Sequence, residues 1–469
     1  MWDHKRDQNW QMHYECKAVV LGAGVTGLCA AHYLGELIGR ANVLVCESSA
    51  HVGGTARSDL HEGFCLDWGP NGFLDREPLT LKWIDEIGLT DDLVRANEAS
   101  ARRFILRYGT LHEVLPPPGF LFSPLLSVRG RLRLLKEPFV PGKKDDAPES
   151  IWDFGARRIG SEAADTLVSS MVSGVFGGDA KQLSLKHCFP RMAAMEREYG
   201  SLFKAMLSKK KEKGTGSPMG PGGVLTTFGR GMGHLSEHVA SALGSRALLE
   251  NGVIRIGRAG SAYRIETAQG DTIESETVLV AMPAFAASNA LRDLDSDVAD
   301  AFDAIPYASI AVVCTGYDRE AVDHDLRGFG FLVPRSEGKR MLGSLWTSSI
   351  FPHEAPDGKV LLRTMIGGAT DPEAVACSDA ELLDVVRREV HPLLRISGEA
   401  KFVRIFRHTR GIPQYTLDHG DRLERIDAAE ARNPGLYFAG NAYRGVGLND
   451  CVVSGVRAVE RLMAGLADG

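Results

Sequence analysis

Gly22, Gly24 and Gly27 stand in the spacing G-x-G-x-x-G directly after the apolar run Lys17-Ala-Val-Val-Leu21, and an acid, Glu47, closes a second apolar run 20 residues beyond the third glycine. Each of these residues has a separate physical task in gripping a dinucleotide. The first glycine permits the tight turn, the second lets a pyrophosphate approach the backbone, and the third lets the following helix pack on the strand, while the acid accepts hydrogen bonds from ribose hydroxyls. The triplet alone would also fit a structural turn. Strand, loop, helix, strand and acid in this order point to a dinucleotide site.

Two further glycine turns follow within a short distance. "SSAHVGGTARS" carries Gly54 with Arg57, and "LDWGPNGFL" carries Gly69, Pro70, Asn71 and Gly72. A nicotinamide fold does not need these extra turns so close to its first βαβ unit, whereas a cofactor with an isoalloxazine ring does; ordinary turns are the alternative reading. Near the other end of the chain, "GLYFAGN" reads as a strand ending at Gly440 and Asn441. After Gly447, Leu448 and Asn449 comes an apolar series Val452, Val456, Val459, Met463 and Leu466 at helical spacing. A helix start beside glycines offers free N–H groups and a positive dipole end, which suits a flavin carbonyl edge or a phosphate. Asp450 reads as a plain N-cap.

The elements that must carry these residues belong to a chain of 469 residues, 44% hydrophobic and 24% charged, long enough for two or three domains around a large core. Its formal net charge is −6, and its longest basic run, Lys209 to Lys211 with Lys213, reads as a solvated loop within 207–223, which argues against a nucleic-acid partner. Eight scattered cysteines show no paired or metal-ligand spacing, so no metal site is expected and a reducing compartment fits. The polar start "MWDHKRDQNWQMHYE" lacks an export signal's apolar region. The stretch from Ala18 to Ile38 approaches membrane-spanning length, but its glycines make it a loop unit, and no span is expected.

With both ends in view, the segments "SGVFGGDAKQLSLKHCFPRMAAMEREYGSL" (173–202), "GFGFLVP" (328–334), "GIPQYTLDH" (411–419) and "GNAYRGVGLNDCVVSG" (440–455) resemble the oxygen-dependent protoporphyrinogen and coproporphyrinogen oxidase flavoproteins, from about residue 16 to the end. Composition and spacing by themselves reach an FAD-binding oxidoreductase of α+β build. The resemblance implies an α+β or α/β fold with three parts. A Rossmann-type FAD domain of p-hydroxybenzoate-hydroxylase-like topology would take 1–85, 225–302 and 410–469. A mixed-sheet substrate domain would take 86–110 and 303–409, and a helical, membrane-associating domain 111–224. Noncovalent FAD would meet Gly22, Gly24, Gly27, Glu47, Gly54, Arg57, Gly69, Pro70, Asn71, Gly72, Val253, Gly440, Asn441, Gly447, Leu448 and Asn449.

The resemblance also implies the reaction: protoporphyrinogen IX becomes protoporphyrin IX in heme biosynthesis, with O2 as acceptor and H2O2 as product. Leu332 and Leu345 would lie on the macrocycle's faces with Met365 nearby, Gly174 would bring backbone close to the reacting region, and Arg76 would meet a propionate. Coproporphyrinogen III is the alternative substrate. A flavin amine oxidase is a further alternative, although Asn441 stands where such enzymes usually carry an acid. Asp418, where relatives often have glycine, and Thr55, where some have an aromatic, depart from the pattern. No acid-base catalyst is assigned: His187, His408 and His419 lack a nucleophile motif and read as structural. The stretch 116–136 joins Phe120, Leu121, Phe122, Leu125 and Leu126 to Arg129, Arg131, Arg133 and Lys136, which suits weak peripheral binding to the inner face of the cell membrane as well as burial against the helical domain. Cytoplasmic location is expected; monomer and homodimer both stay open.

Overall fold

The computed structural model describes residues 11–116, 119–212 and 222–467. Its first unit is β1 (His13–Leu21), α1 (Val25–Ile38) and β2 (Val43–Cys46). The inner half of β1 and all of β2 are buried, which is why both read as continuous apolar runs: a parallel strand in mid-sheet is covered on both faces. This sheet runs in the order Ala247–Leu248, β2, β1, Thr272–Val280, Ala262–Thr267, Val253–Ala259, and Leu436–Phe438 also pairs with Thr272–Val280. The neighbours of β1 are parallel to it, and the meander from Val253 to Val280 is antiparallel. Thr272–Val280 stops just before Met282-Pro283, where a proline cannot donate to a ladder.

The C-terminal helix, Leu448–Ala467, lies against α1 in one apolar cluster that includes Leu28, Ala31, Val452, Val459 and Leu462. The two helices approach closely: a Cβ on Gly455 would stand 2.8 Å from the Thr26 carbonyl oxygen. Leu466, expected on the buried stripe, is exposed near the helix end. Beyond this unit stands a second seven-stranded sheet, ordered Phe402–Pro413, Tyr307–Asp318, Lys359–Gly367, Met341–Leu345, Gly330–Leu332, Phe104–Arg107, Thr110–Glu113. One face of it packs with Leu382, Val385 and Val386 of the helix Asp379–Glu389; the other turns Cys314, Leu342 and Phe406 toward Phe64, Leu66 and Trp68.

Residues 119–212 are mainly short helices around a buried ion cluster. Arg158 and Glu137 are fully buried and paired, with Ser201 Oγ and the Leu202 N–H also donating to Glu137, so that the charges leave water only with their hydrogen bonds filled. Several sequence expectations change here. Lys209 to Lys211 lie in the helix Leu202–Glu212, because Lys and Glu prolong a helix readily; the rest of the expected loop, 213–221, lies outside the described residues. The strand Thr110–Glu113 enters the range expected to be helical, and Phe402–Pro413 runs across the expected boundary at 409/410. In the basic stretch, Leu125 and Leu126 point inward, while Arg131 and Arg133 donate to the carbonyls of Leu126, Arg157 and Arg158. The side chains of Phe120 and Leu121 lie outside the described residues.

Candidate cofactor and substrate site

The three glycines after β1 divide their tasks by space. A Cβ on Gly22 (φ +107°) would stand 2.9 Å from the Ala281 carbonyl oxygen, and one on Gly27 would stand 1.9 Å from the Gly22 carbonyl oxygen. Gly24, at the N-terminus of the 14-residue α1, has nothing within 4 Å of that position, so its face is open. The Gly53 N–H donates to the Ala23 carbonyl (2.7 Å), which sets the second glycine turn, with Gly54 at φ +59°, alongside the first. Glu47 follows β2; its Oε2 accepts the Ala23 N–H (2.9 Å) and its Oε1 the Ser49 N–H (2.8 Å). The Asn251 N–H donates to the Glu47 carbonyl (2.8 Å), and the turn leading into Val253 lies against Ser48.

Glu47→Ala is expected to weaken retention of the dinucleotide by about 1.5–3 kcal/mol, roughly 10- to 150-fold in Kd, because charge-assisted bonds to ribose are lost. Flavin released on gel filtration measures this; a variant that elutes with the parent's full complement contradicts it.

A second wall comes from the turn Gly69–Gly72 and the chain end. A Cβ on Gly69 would stand 2.4 Å from the Thr55 carbonyl oxygen and one on Gly72 would stand 2.8 Å from that of Thr226, so Pro70 and Asn71 are carried on a turn pressed against both neighbours. Arg57 lies with its guanidinium 4.0 Å over the Trp68 ring, which stacks on Phe406 at 4.8 Å. The Gly440 N–H donates to Ser454 Oγ (2.9 Å), and Tyr415 Oη donates to the Asn441 carbonyl while accepting the Gly445 N–H (2.9 Å). Asp450 is not the N-cap expected of it: it sits inside the first turn, and its Oδ2 accepts the Gly447 N–H (3.0 Å). Asn449 Nδ2 donates to the Leu74 carbonyl (2.9 Å). Its Oδ1, like Asn71 Nδ2, is buried without a partner among the described residues. An open glycine face, two long-helix N-termini and two orphaned amide atoms are what a flavin dinucleotide with a polar ring edge and a pyrophosphate would fill.

The second sheet supplies an apolar floor. Leu332, Gly343 and Met365 are register partners across three adjacent strands, so their positions share one face, and the Leu332 side chain leans over Gly343, where a Cβ would stand 3.2 Å from Leu332 Cδ2. Gly174, in the helix Ser169–Phe176, backs onto this row: a Cβ there would stand 2.6 Å from Leu332 Cδ2. Leu345 packs in one cluster with Met365, Phe329, Leu225 and Val94. The sheet register and packing thus bring Gly174, Leu332, Leu345 and Met365 together from four separate segments.

Arg76 is exposed just past the strand Phe73–Leu74, beside Gly223, and close enough to Asp450 to oppose the rise that burial gives its carboxyl. Arg103, which sequence reading passed over, has its guanidinium 5.1 Å from the Phe329 ring at the edge of the apolar cluster. It is exposed and forms no ion pair among the described residues. Its neighbour Arg102 is paired with Glu113. A signal was available: of two arginines entering a strand, alternation sends one to each side.

His408 and His419 are hydrogen-bonded through their rings. His408 Nε2 lies 2.9 Å from the Trp68 carbonyl oxygen and His419 Nε2 2.8 Å from that of Tyr443, and His187 packs edge-on against His419. Burial lowers the pKa of all three, that of His419 to about 4. Among the described residues no cluster suits a metal ion.

With this geometry in hand, four likenesses bear on the chain. Residues 25–463 match the family described as flavin containing amine oxidoreductase. A chloroplastic protoporphyrinogen oxidase of Oryza sativa subsp. japonica is 34% identical, covering 92% of this chain and 85% of the relative, and the coproporphyrinogen III oxidase of Bacillus subtilis (strain 168) is 29% identical, covering 94% and 96%. A crystal structure from Exiguobacterium sp. 255-15, described as a candidate protoporphyrinogen oxidase, superposes with a TM-score of 0.82 at 27% identity over 96% of this chain and 99% of that one.

Proposed function

We propose that this chain, which belongs to the flavin containing amine oxidoreductases and within them to the protoporphyrinogen and coproporphyrinogen oxidases, oxidises protoporphyrinogen IX to protoporphyrin IX in heme biosynthesis, with O2 as acceptor and H2O2 as product. The observation that carries this reading is the row Leu332, Gly343, Met365 with Leu345 beside it: an apolar floor suits a flat macrocycle and keeps water from its face. Noncovalent FAD, when bound, supplies the two-electron acceptor and the reactivity with O2. In this reading Gly22, Gly24, Gly27 and Gly54 cradle its pyrophosphate, Glu47 and the turn at Val253 take its adenosine end, and Gly69–Gly72, Gly440, Asn441 and Gly447–Asn449 frame its ring. Arg76 and Arg103 orient substrate carboxylates.

The second reading, coproporphyrinogen III to coproporphyrin III, draws support from Arg103: a second cation at the apolar edge suits a substrate with more propionates. Supplying the holoprotein with both porphyrinogens and with simple amines, while porphyrin fluorescence and peroxide are followed, tests the readings together. Turnover of amines alone would overturn both.

The same reading places the protein on the inner face of the cytoplasmic membrane, where apolar porphyrinogens partition. No helix among the described residues is long and apolar enough to cross a membrane. The support lies in Phe122 (79% exposed) and Phe139 (85% exposed), which flank a helix, Val128–Leu135, whose Val128, Leu132 and Leu135 are exposed beside Arg129 and Lys136. An apolar edge with basic neighbours favours an anionic interface. The holoprotein is expected to float with anionic liposomes at low salt and less so at high salt, and Phe122→Ser with Phe139→Ser to reduce flotation. Complete recovery in the soluble fraction with anionic lipid at low salt would sink this assignment.

A further inference from the structure

Beneath the turn Gly69–Gly72 lies a group of buried charges that the reaction above does not use. Arg363 enters from the strand Lys359–Gly367; its Nη2 donates to the carbonyls of Gly69 and Trp68, and its Nε has no partner among the described residues. Asp67, two residues before Gly69, accepts the Ser58 hydroxyl (2.6 Å) and the Met232 N–H (2.9 Å) on Oδ1, while its Oδ2 has no partner. Glu354 comes from a third segment, Pro352–Glu354, and neither of its oxygens has a partner. All three side chains are buried, and each carboxylate lies within electrostatic reach of Arg363.

One buried cation cannot balance two buried carboxylates, and an unpaired ionised carboxylate in such a place is strongly disfavoured. Burial raises the Asp67 carboxyl too, but the Ser58 and Met232 donors on one oxygen and the nearby Arg363 oppose it, so Asp67 keeps its charge more readily than Glu354, which has no donor. The other titratable groups around Glu354 do not supply the missing charge. Cys65 and Cys314 are buried thiols that burial holds neutral, and His408, which faces the Trp68 carbonyl, has its pKa lowered. Burial and the nearby Asp67 both push the Glu354 carboxyl well above the usual range, with Arg363 opposing.

We propose that Arg363, Asp67 and Glu354 form one positioning unit, Asp67 ionised and Glu354 holding the unit's single proton, which pins the Trp68 and Gly69 carbonyls and so sets the turn Gly69–Gly72 against the flavin. The unit is electrically neutral, and its cation is free to spend its donors on the turn. Because the turn's contact with flavin belongs to the functional reading above, this unit rests on that reading.

The test uses the holoprotein and three variants. Arg363→Lys replaces a planar fork with a single point charge that cannot hold both carbonyls; it is expected to weaken FAD binding at least tenfold and to shift the midpoint potential of the bound flavin. Asp67→Asn leaves the cation unbalanced and should do the same. Glu354→Gln keeps the neutral form and should hold FAD within about twofold of the parent.

The variant Glu354→Gln also carries a pH signature. A glutamate that stays protonated when folded costs stability once the unfolded chain releases that proton, so the parent loses ground as pH rises above the ordinary carboxyl range. The difference in Tm is therefore expected to grow in favour of glutamine from pH 5 to pH 8. A pH-independent difference, or loss of FAD in Glu354→Gln equal to that in Arg363→Lys, overturns the proposal, as does an Arg363→Lys protein with the parent's affinity and potential. If Arg363→Lys does not fold, the pH profile of Glu354→Gln decides alone. A parent that holds FAD but oxidises no porphyrinogen sinks the substrate reading and leaves these comparisons valid; a parent that binds no FAD overturns both.

Discussion

Gly27→Ala is expected to yield a destabilised protein depleted of flavin, whereas Gly24→Ala yields a stable one depleted of flavin. The methyl at position 27 would stand 1.9 Å from the Gly22 carbonyl oxygen, far inside contact distance, and 3.2 Å from Val20 Cγ1. Relief would require α1 to move off the sheet, yet α1 is buried along most of its length and held from behind by the C-terminal helix at the Gly455 crossing. Forced overpacking of this kind costs about 1–3 kcal/mol, and moving α1 also displaces the N–H groups that would face the pyrophosphate. At Gly24 the methyl meets no protein atom within 4 Å, so the apoprotein loses nothing in packing; the methyl instead occupies the space a pyrophosphate needs. Affinity should fall by a similar about 1–3 kcal/mol, roughly 5- to 150-fold in Kd. Visible flavin absorbance per protein and the apoprotein Tm separate the two outcomes. A flavin-replete Gly24→Ala protein would show that its open face is not the cradle.

Arg103→Ala is expected to lower kcat/KM by about 1.5–3 kcal/mol, roughly 10- to 150-fold, mainly through KM, with flavin content and Tm retained. Its guanidinium stands over Phe329, in the cluster that holds Leu345 and Met365, and no carboxylate of the described protein neutralises it. A substrate carboxylate there would gain a forked, charge-assisted pair that lysine copies only in part, so Arg103→Lys should fall between parent and alanine. Arg76→Ala should act in the same direction but less strongly, since Arg76 already lies close to the Asp450 carboxylate whereas Arg103 forms no ion pair among the described residues. Unchanged KM in both alanine variants would remove both arginines from the substrate site; a loss confined to Arg76→Ala would reverse their order.

The parts of this protein legible in the sequence are those whose geometry is local. A glycine triplet between a strand and a helix dictates its own turn, and the tight turn read for Gly22 and the helix packing read for Gly27 agree with the close contacts at each. The period of Val452, Val456 and Val459 was enough for the C-terminal helix, whose start at Leu448 adjoins the glycine-rich segment. Where an inference depended on which way a side chain turns, the sequence was insufficient: Leu125 and Leu126 look identical to exposed leucines until the helix Val128–Leu135 is packed.

Tertiary structure alone decided the rest. Leu332, Gly343 and Met365 become a row only through strand register, which no single strand encodes. Arg103 is distinguished from Arg102 by what each meets across the sheet, and Asp67 joins Glu354 and Arg363 in one electrostatic unit only when two distant stretches of the chain are buried together. Local backbone preference acts over a few residues, but desolvation and charge pairing depend on whatever the fold brings near, from a strand or a turn away to hundreds of positions away.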